Sequence, residues 1–215
     1  MTTLTRVQIN PARRGGRKLL TDPQAMHAAV RSSFPPDLDE SNARVLWRAD
    51  KRQHDHVLYI VGPEKPTGSH LVEQAGWDTR PAESADYQRF LDTLMAGQHW
   101  HFELVANPTY SEFTKGKRGK IRAHVSAEHQ LNWLRKKAAQ SGFEVETGSV
   151  TERWTDHFQR SKQTGKNNRP VRIAKARFSG TLRVTDAAKL RTALTQGIGR
   201  ARGYGCGLLT LAPAR

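Results

Sequence analysis

Between positions 197 and 207 glycine stands at 197, 199, 203, 205 and 207, with Arg200 and Arg202 among them. Glycine permits positive φ and close backbone approach, so such a loop can turn N–H groups toward phosphate oxygens. The two guanidinium groups would add charge-assisted hydrogen bonds. The chemistry is anion binding, with Gly199, Arg200, Arg202, Gly203 and Gly205 as candidate contacts. A tight connection between a helix and a strand explains the same glycines without any ligand. A dinucleotide fingerprint fits poorly, because the spacing is G-x-G-x-x-x-G and too little chain follows to supply a ribose-binding acid.

A second candidate is His27. An imidazole titrating near about 6.5 can take or give a proton at neutral pH. Gln24 at i−3 and Arg31 at i+4 put a polar stripe beside it on a helix. A half-buried helix histidine with no role is the plain alternative. His54-Asp-His56 and His99-Trp-His101 each set two imidazoles on one face of a strand, a spacing that can hold a metal. Nothing supplies a third and fourth ligand at diagnostic spacing, so neither a metal nor another cofactor is expected. His101-Phe-Glu103 imitates a deaminase H-x-E, but P-C-x-x-C is absent and that class is excluded.

These groups sit in a strongly basic chain. Its 215 residues carry 35 Lys and Arg against 20 Asp and Glu, a formal charge of +15, with an isoelectric point near 10.5 and a mean hydropathy of −0.71. That balance asks for a polyanionic partner, most often nucleic acid. An anionic membrane surface also suits the charge, yet no run reaches the roughly 18 apolar residues of a transmembrane helix. The N-terminus lacks a signal-peptide core. Cys206 is the single cysteine, which excludes an internal disulfide and a cysteine-rich zinc site. A cytoplasmic chain is expected, with no membrane partner.

The positioning elements follow from periodicity. Residues 2–9 read as a strand with Thr5, Val7 and Ile9 on one face. Residues 10–20 read as a basic loop holding Arg13, Arg14, Arg17 and Lys18. Asp22 then caps a helix with Pro23 at its first position, and Met26, Val30 and Phe34 point to the core. Strands are expected at 43–48, 56–61 and 100–105, a loop over 63–86 and a short helix over 86–95. After the basic loop 115–120 the order repeats: a strand at 120–124, a helix from the Ser126 cap to about 140, and a strand at 143–147. A long hairpin-like stretch over 151–184, a helix opened by Asp186 and a last strand at 207–212 complete it. Trp47, Trp100, Trp133 and Trp154 read as core or interface aromatics.

Strand, helix, strand, strand, helix, strand, twice over, is an α+β architecture of two tandem ferredoxin-like domains, 1–110 and 111–215. The chain lacks the aromatic run of RNA-recognition motifs, so base stacking on a sheet is not the obvious mode. Its charge gathers instead in loops at 13–18, 115–122, 160–175 and 200–202, which suits a structured RNA held through phosphates and shape. RNA carries its own nucleophile, the 2′-hydroxyl, so cutting it needs only proton transfer and charge stabilisation.

Several segments in order resemble the CRISPR-associated endoribonuclease CasE family, the RNA-processing subunits of type I-E Cascade. They are the opening strand running into Asn10-Pro11, then Asp22-Pro23-Gln24-Ala25-Met26-His27, Leu46-Trp47-Arg48 and Ala106-Asn107-Pro108. Trp133-Leu134, Gly142-Phe143 and Gly197-x-Gly199 … Gly205-x-Gly207-Leu208-Leu209 with Ala212-Pro213 follow. The resemblance implies two ferredoxin-like domains and metal-independent cleavage of precursor CRISPR RNA at the base of each repeat hairpin. It implies other type I-E Cascade subunits as partners, and it puts His27 on the family's catalytic histidine. The family's tyrosine three residues earlier is Gln24 here. The resemblance further implies that Arg160, Lys162, Lys166 and Arg169 form a basic hairpin along the RNA stem, that Arg13, Arg14, Arg17 and Lys18 clamp it, and that the glycine loop lies near the cut. Arg31 and Lys117 join the candidate RNA contacts. A non-catalytic module for structured RNA is the alternative, and a metal-dependent or DNA-directed nuclease using the H-x-H pairs is a third reading.

Overall fold

The computed structural model describes residues 2–41, 43–51, 56–114, 116–159 and 170–214. The first unit runs β1 (Thr3–Ile9), α1 (Arg14–Thr21), α2 (Pro23–Arg31), β2 (Leu46–Lys51), β3 (His56–Gly62), α3 (Ser69–Ala75) and β4 (Glu83–Asp86). Its sheet has the order β2-β3-β1-β4 with antiparallel neighbours. Helix α4 (Tyr87–Asp92) leads to β5 (His99–Ala106), then to a separate hairpin of β6 (Thr109–Thr114) and β7 (Lys117–Ala123). The second unit continues with α5 (Ala127–Gln140), β8 (Phe143–Phe158), β9 (Val171–Val184), α6 (Ala187–Gln196), a 3-10 turn over Arg202–Tyr204 and β10 (Leu209–Pro213). Its antiparallel sheet is ordered β10-β5-β9-β8. In each sheet the first strand lies between the third and the fourth, so both units are ferredoxin-like.

Local chemistry explains most of these elements. Thr3, Thr5, Val7 and Ile9 alternate inward along β1 and are buried. Asp22 accepts from the Gln24 N–H, and Pro23 opens α2 where its missing N–H costs nothing. Met26, Val30 and Phe34 bury against Leu58, Ile60 and Leu71. Ser126 and Asp186 cap α5 and α6 by accepting from His129 and Lys189 N–H.

The two units share more than a linker. Leu46 and Val61 of the first sheet pack into one core with Phe102, Leu104, Phe178 and Leu194 of the second. Arg48, on the same strand as Leu46, is buried, and its guanidinium grips both Asp50 oxygens at 2.9 and 2.8 Å. It also donates to the Glu103 and Leu208 carbonyls across the junction. Arg177 of β9 reaches the same Asp50 at 2.7 Å. Burial alone would raise the Asp50 pKa, but the two guanidinium groups outweigh it and hold the carboxyl below its usual range.

Four expectations are corrected. The supposed basic loop 10–20 contains α1, whose first turn holds Gly15 and Gly16, poor helix formers that hide it from a propensity reading. They are there for packing: a Cβ on Gly16 would lie 1.9 Å from the Asn10 carbonyl oxygen, and one on Gly15 would lie 2.0 Å from that of Gln74. The stretch 63–86 contains α3 and β4. The first lacks a side-chain cap and the second is a four-residue strand with little burial, so neither gives a periodic signal. The strand expected at 43–48 is shifted to Leu46–Lys51. Finally, β5 does not close the first sheet but hydrogen-bonds to β9 and β10 in the second.

Candidate active site

His27 sits one turn into α2, beside buried Met26, and is itself half-buried. What covers it comes from the other unit. After α6 the chain passes through Gly197, Gly199, Ala201 and Gly205, all at positive φ, before Gly207 leads into β10. Ala201 (φ 58°, ψ 31°) is the one non-glycine residue in that region among those described. This backbone folds the 3-10 turn Arg202–Tyr204 onto α2. A Cβ on Gly203 would lie 3.3 Å from His27 Cε1 and 3.5 Å from Nδ1. The absent side chain lets the turn touch the imidazole.

Three anchors fix the turn. The Trp47 indole N–H donates to the Gly203 carbonyl at 3.2 Å, and a Cβ on Gly205 would strike the same ring at 2.6 Å. Lys175, buried and paired with Asp156 at 2.6 Å, donates to the Tyr204 carbonyl at 2.5 Å. Phe158 packs on the Tyr204 ring with centroids 4.7 Å apart. The Tyr204 ring in turn lies 5.8 Å from that of His27, and its hydroxyl is 3.3 Å from Gln24 Oε1.

The electrostatics favour a neutral imidazole. Burial lowers the His27 pKa below 6.5 and the nearby Arg31 cation lowers it further, with Glu40 opposing. Arg31 and Glu40 are themselves paired at 2.5 Å. In the loop, Arg200 is exposed with no partner among the described residues. Arg202 donates to the Gly199 carbonyl at 3.0 Å, and its pKa is lowered by burial and by the neighbouring charge of Arg44. Two guanidinium groups near one another beside a backbone rich in positive φ form a place for an anion. The same loop touches His27 at Gly203, and a neutral imidazole is a base that can take a proton.

Of the loop candidates, Gly203 lies against His27, Gly205 lies against the Trp47 ring that holds the Gly203 carbonyl, and Arg202 holds the Gly199 carbonyl. Other candidates fare differently. Arg13 is engaged by Asp78 at 2.6 Å and by the Glu73 carbonyl, while Arg17 donates to the Ala12 carbonyl. Arg14 and Lys18 are exposed on α1 without partners among the described residues. Lys117 opens β7. Arg160, Lys162, Lys166 and Arg169, and His54 of the first H-x-H pair, lie outside the described residues. In the second pair His99 meets Glu146 at 3.0 Å. Sequence reasoning passed over Tyr204, Lys175 and Arg44, each of which owes its place to contacts between distant segments. Only the spacing of Tyr204 inside the glycine loop offered a hint.

The family model described as CRISPR associated protein matches residues 3–213. A relative from Thermus thermophilus, "CRISPR-associated endoribonuclease Cse3", is 29% identical over 218 residues, covering 98% of this chain and 99% of its own length. The "CRISPR system Cascade subunit CasE" of Escherichia coli K12 is 28% identical over 170 residues, 74% of this chain and 82% of the relative. Among solved structures, a Cse3 endoribonuclease bound to a 19-nucleotide RNA superposes with a TM-score of 0.79 at 24% identity, over 99% of both chains. Cas6e from E. coli gives 0.64 at 23% identity over 100% of both. The fold and the family agree: this chain belongs to the CRISPR-associated protein family, beside Cse3 and CasE.

Proposed function

We propose that the protein is an endoribonuclease that binds the repeat hairpin of precursor CRISPR RNA and cuts it at the base of the stem without a metal ion. The observation that carries this reading is the clasp at His27. A half-buried imidazole with a lowered pKa is covered by a glycine turn whose flanks carry Arg200 and Arg202. The names of the relatives support the substrate class and work within Cascade.

The steps follow from the groups in place. With the scissile phosphate held in the loop, neutral His27 takes the 2′-hydroxyl proton. The 2′-oxygen bonds to the adjacent phosphorus, the bond to the 5′-oxygen breaks, and that oxygen takes up a proton. The products are a 2′,3′-cyclic phosphate and a 5′-hydroxyl. Arg200, Arg202 and Arg44 offset the charge that grows on phosphate in the transition state. The nucleophile belongs to the RNA, so neither a metal-activated water nor a protein nucleophile is needed. Exposed Arg14 and Lys18 serve the stem. Arg160, Lys162, Lys166, Arg169 and Lys117 belong to the same proposal on sequence grounds alone.

A repeat hairpin with a single 2′-deoxy nucleotide at the cut site tests the reading. It should bind as well as the native RNA and remain intact, while native RNA is cut in EDTA. Cleavage of the deoxy substrate, or loss of cutting in EDTA, would overturn it. Tight binding with no cleavage of either RNA would leave a non-catalytic RNA-binding module.

A further inference from the structure

Gln24 stands three residues before His27, so the two side chains are neighbours on one face of α2. The Gln24 backbone N–H is taken by Asp22. Its side-chain oxygen lies 3.3 Å from the Tyr204 hydroxyl, which donates to it. A carboxamide is planar, with an acceptor on one arm and two donors on the other. Holding its oxygen therefore turns both N–H groups away from Tyr204, and no described residue accepts them. One turn of helix thus presents a proton acceptor and an oriented pair of neutral donors side by side.

Tyr204 is unusually well fixed for this task. Lys175 holds its carbonyl, Phe158 packs its ring, and Ala201 and Gly205 bracket its turn in left-handed conformations. A loop that merely joined α6 to β10 would have no need of a non-glycine residue at positive φ, a conformation that persists only when the surroundings enforce it.

We propose that Tyr204 is a positioning residue: its hydroxyl orients the Gln24 carboxamide so that Gln24 donates to a non-bridging oxygen of the scissile phosphate beside His27. This rests on the ribonuclease reading and adds to it the oxyanion donor. A neutral donor fixed before reaction stabilises developing negative charge without reorganising in the transition state. The tyrosine acts from the second unit on a helix of the first, so the site is complete only when the two are docked.

Two readouts test this, one of them independent of cleavage. In single-turnover cleavage with protein in excess, Tyr204→Phe keeps the ring and removes only the hydroxyl. It should slow cutting roughly tenfold, as misorientation of a catalytic group does, with unchanged Kd for the 2′-deoxy hairpin. Gln24→Ala should slow it by roughly 10², and the double variant should be no slower than Gln24→Ala. In nitrogen–proton NMR spectra, binding of the 2′-deoxy hairpin should shift the Gln24 side-chain amide of wild type, and Tyr204→Phe should lose most of that shift. Equal rates for Tyr204→Phe and wild type, or multiplied losses in the double variant, would overturn the proposal. A wild type that binds without cutting refutes the nuclease reading alone. The amide then still decides: a shift lost in Tyr204→Phe upholds the positioning role, and a shift that persists refutes it.

Discussion

Gly203 and His27 come from different units, yet a Cβ on the glycine would stand 3.3 Å from the imidazole Cε1. That distance is tighter than ordinary contact, so Gly203→Ala must push the ring aside by a few tenths of an ångström. Misplacing a catalytic group on this scale costs rate rather than affinity. We expect Gly203→Ala to lower single-turnover cleavage roughly tenfold, with hairpin binding unchanged in a filter assay. Unaltered cleavage would place the reacting imidazole elsewhere.

The lowered His27 pKa sets a pH profile. A base works while neutral, so the rate should fall as pH drops through the His27 pKa, giving an acid limb below 6.5. Arg31→Ala removes a cation that lowers this pKa and frees Glu40, which raises it, so its limb should move to higher pH. Glu40→Gln should move it to lower pH. Rate–pH curves for the three proteins decide the matter, and coincident limbs would remove His27 from the rate-determining proton transfer.

The junction rests on a buried charge cluster, and this predicts a stability effect. Asp50→Asn removes the carboxylate shared by Arg48 and Arg177 and leaves buried Arg48 only its longer contact with Glu103 at 3.3 Å; breaking a buried pair costs about 3–5 kcal/mol, measurable by urea denaturation. The sign with pH is fixed as well. The folded Asp50 pKa lies below its ordinary value of 3.8, so its contribution is full above that value and disappears as pH falls through the folded pKa. Asp50→Asn should flatten that acid loss, and an undiminished acid loss would contradict the assignment.

Exposed and engaged arginines should differ in RNA binding. Arg200 is free to meet phosphate, whereas Arg13 is committed to Asp78. Arg200→Ala should weaken binding and reduce the slope of log K against log salt by about one. Arg13→Ala should leave that slope unchanged. A reduced slope for Arg13 and none for Arg200 would reverse the orientation of the RNA on the protein.

Much of this was legible in the chain because the signals were local. The Asp22-Pro23 start of α2, the alternation of β1, the caps at Ser126 and Asp186 and the long hairpin each follow from neighbouring residues. Helix α1 was hidden because Gly15 and Gly16 are chosen for contact with Asn10 and Gln74, not for propensity. The sheet that receives β5 was hidden because its alternation fits either partner. At the site, His27 and the glycines stood out by type and spacing. Tyr204, Lys175 and Arg44 did not, because their roles arise where segments distant in the chain meet: Tyr204 with Gln24, Arg44 with Arg202, and Lys175 with both Asp156 and Tyr204. Arg13 carries a pairing that its local sequence does not announce: it meets Asp78, 65 positions away, at 2.6 Å.

Cleavage of the cognate repeat hairpin by wild-type and His27→Ala protein in EDTA tests most directly whether His27 moves the proton. Wild type should cut at one site, and His27→Ala should be slower by roughly 10² to 10⁴, the range of general acid–base catalysis, at equal affinity for the RNA. Cutting by His27→Ala at the wild-type rate, or a loss of rate matched by an equal loss of binding, would contradict it.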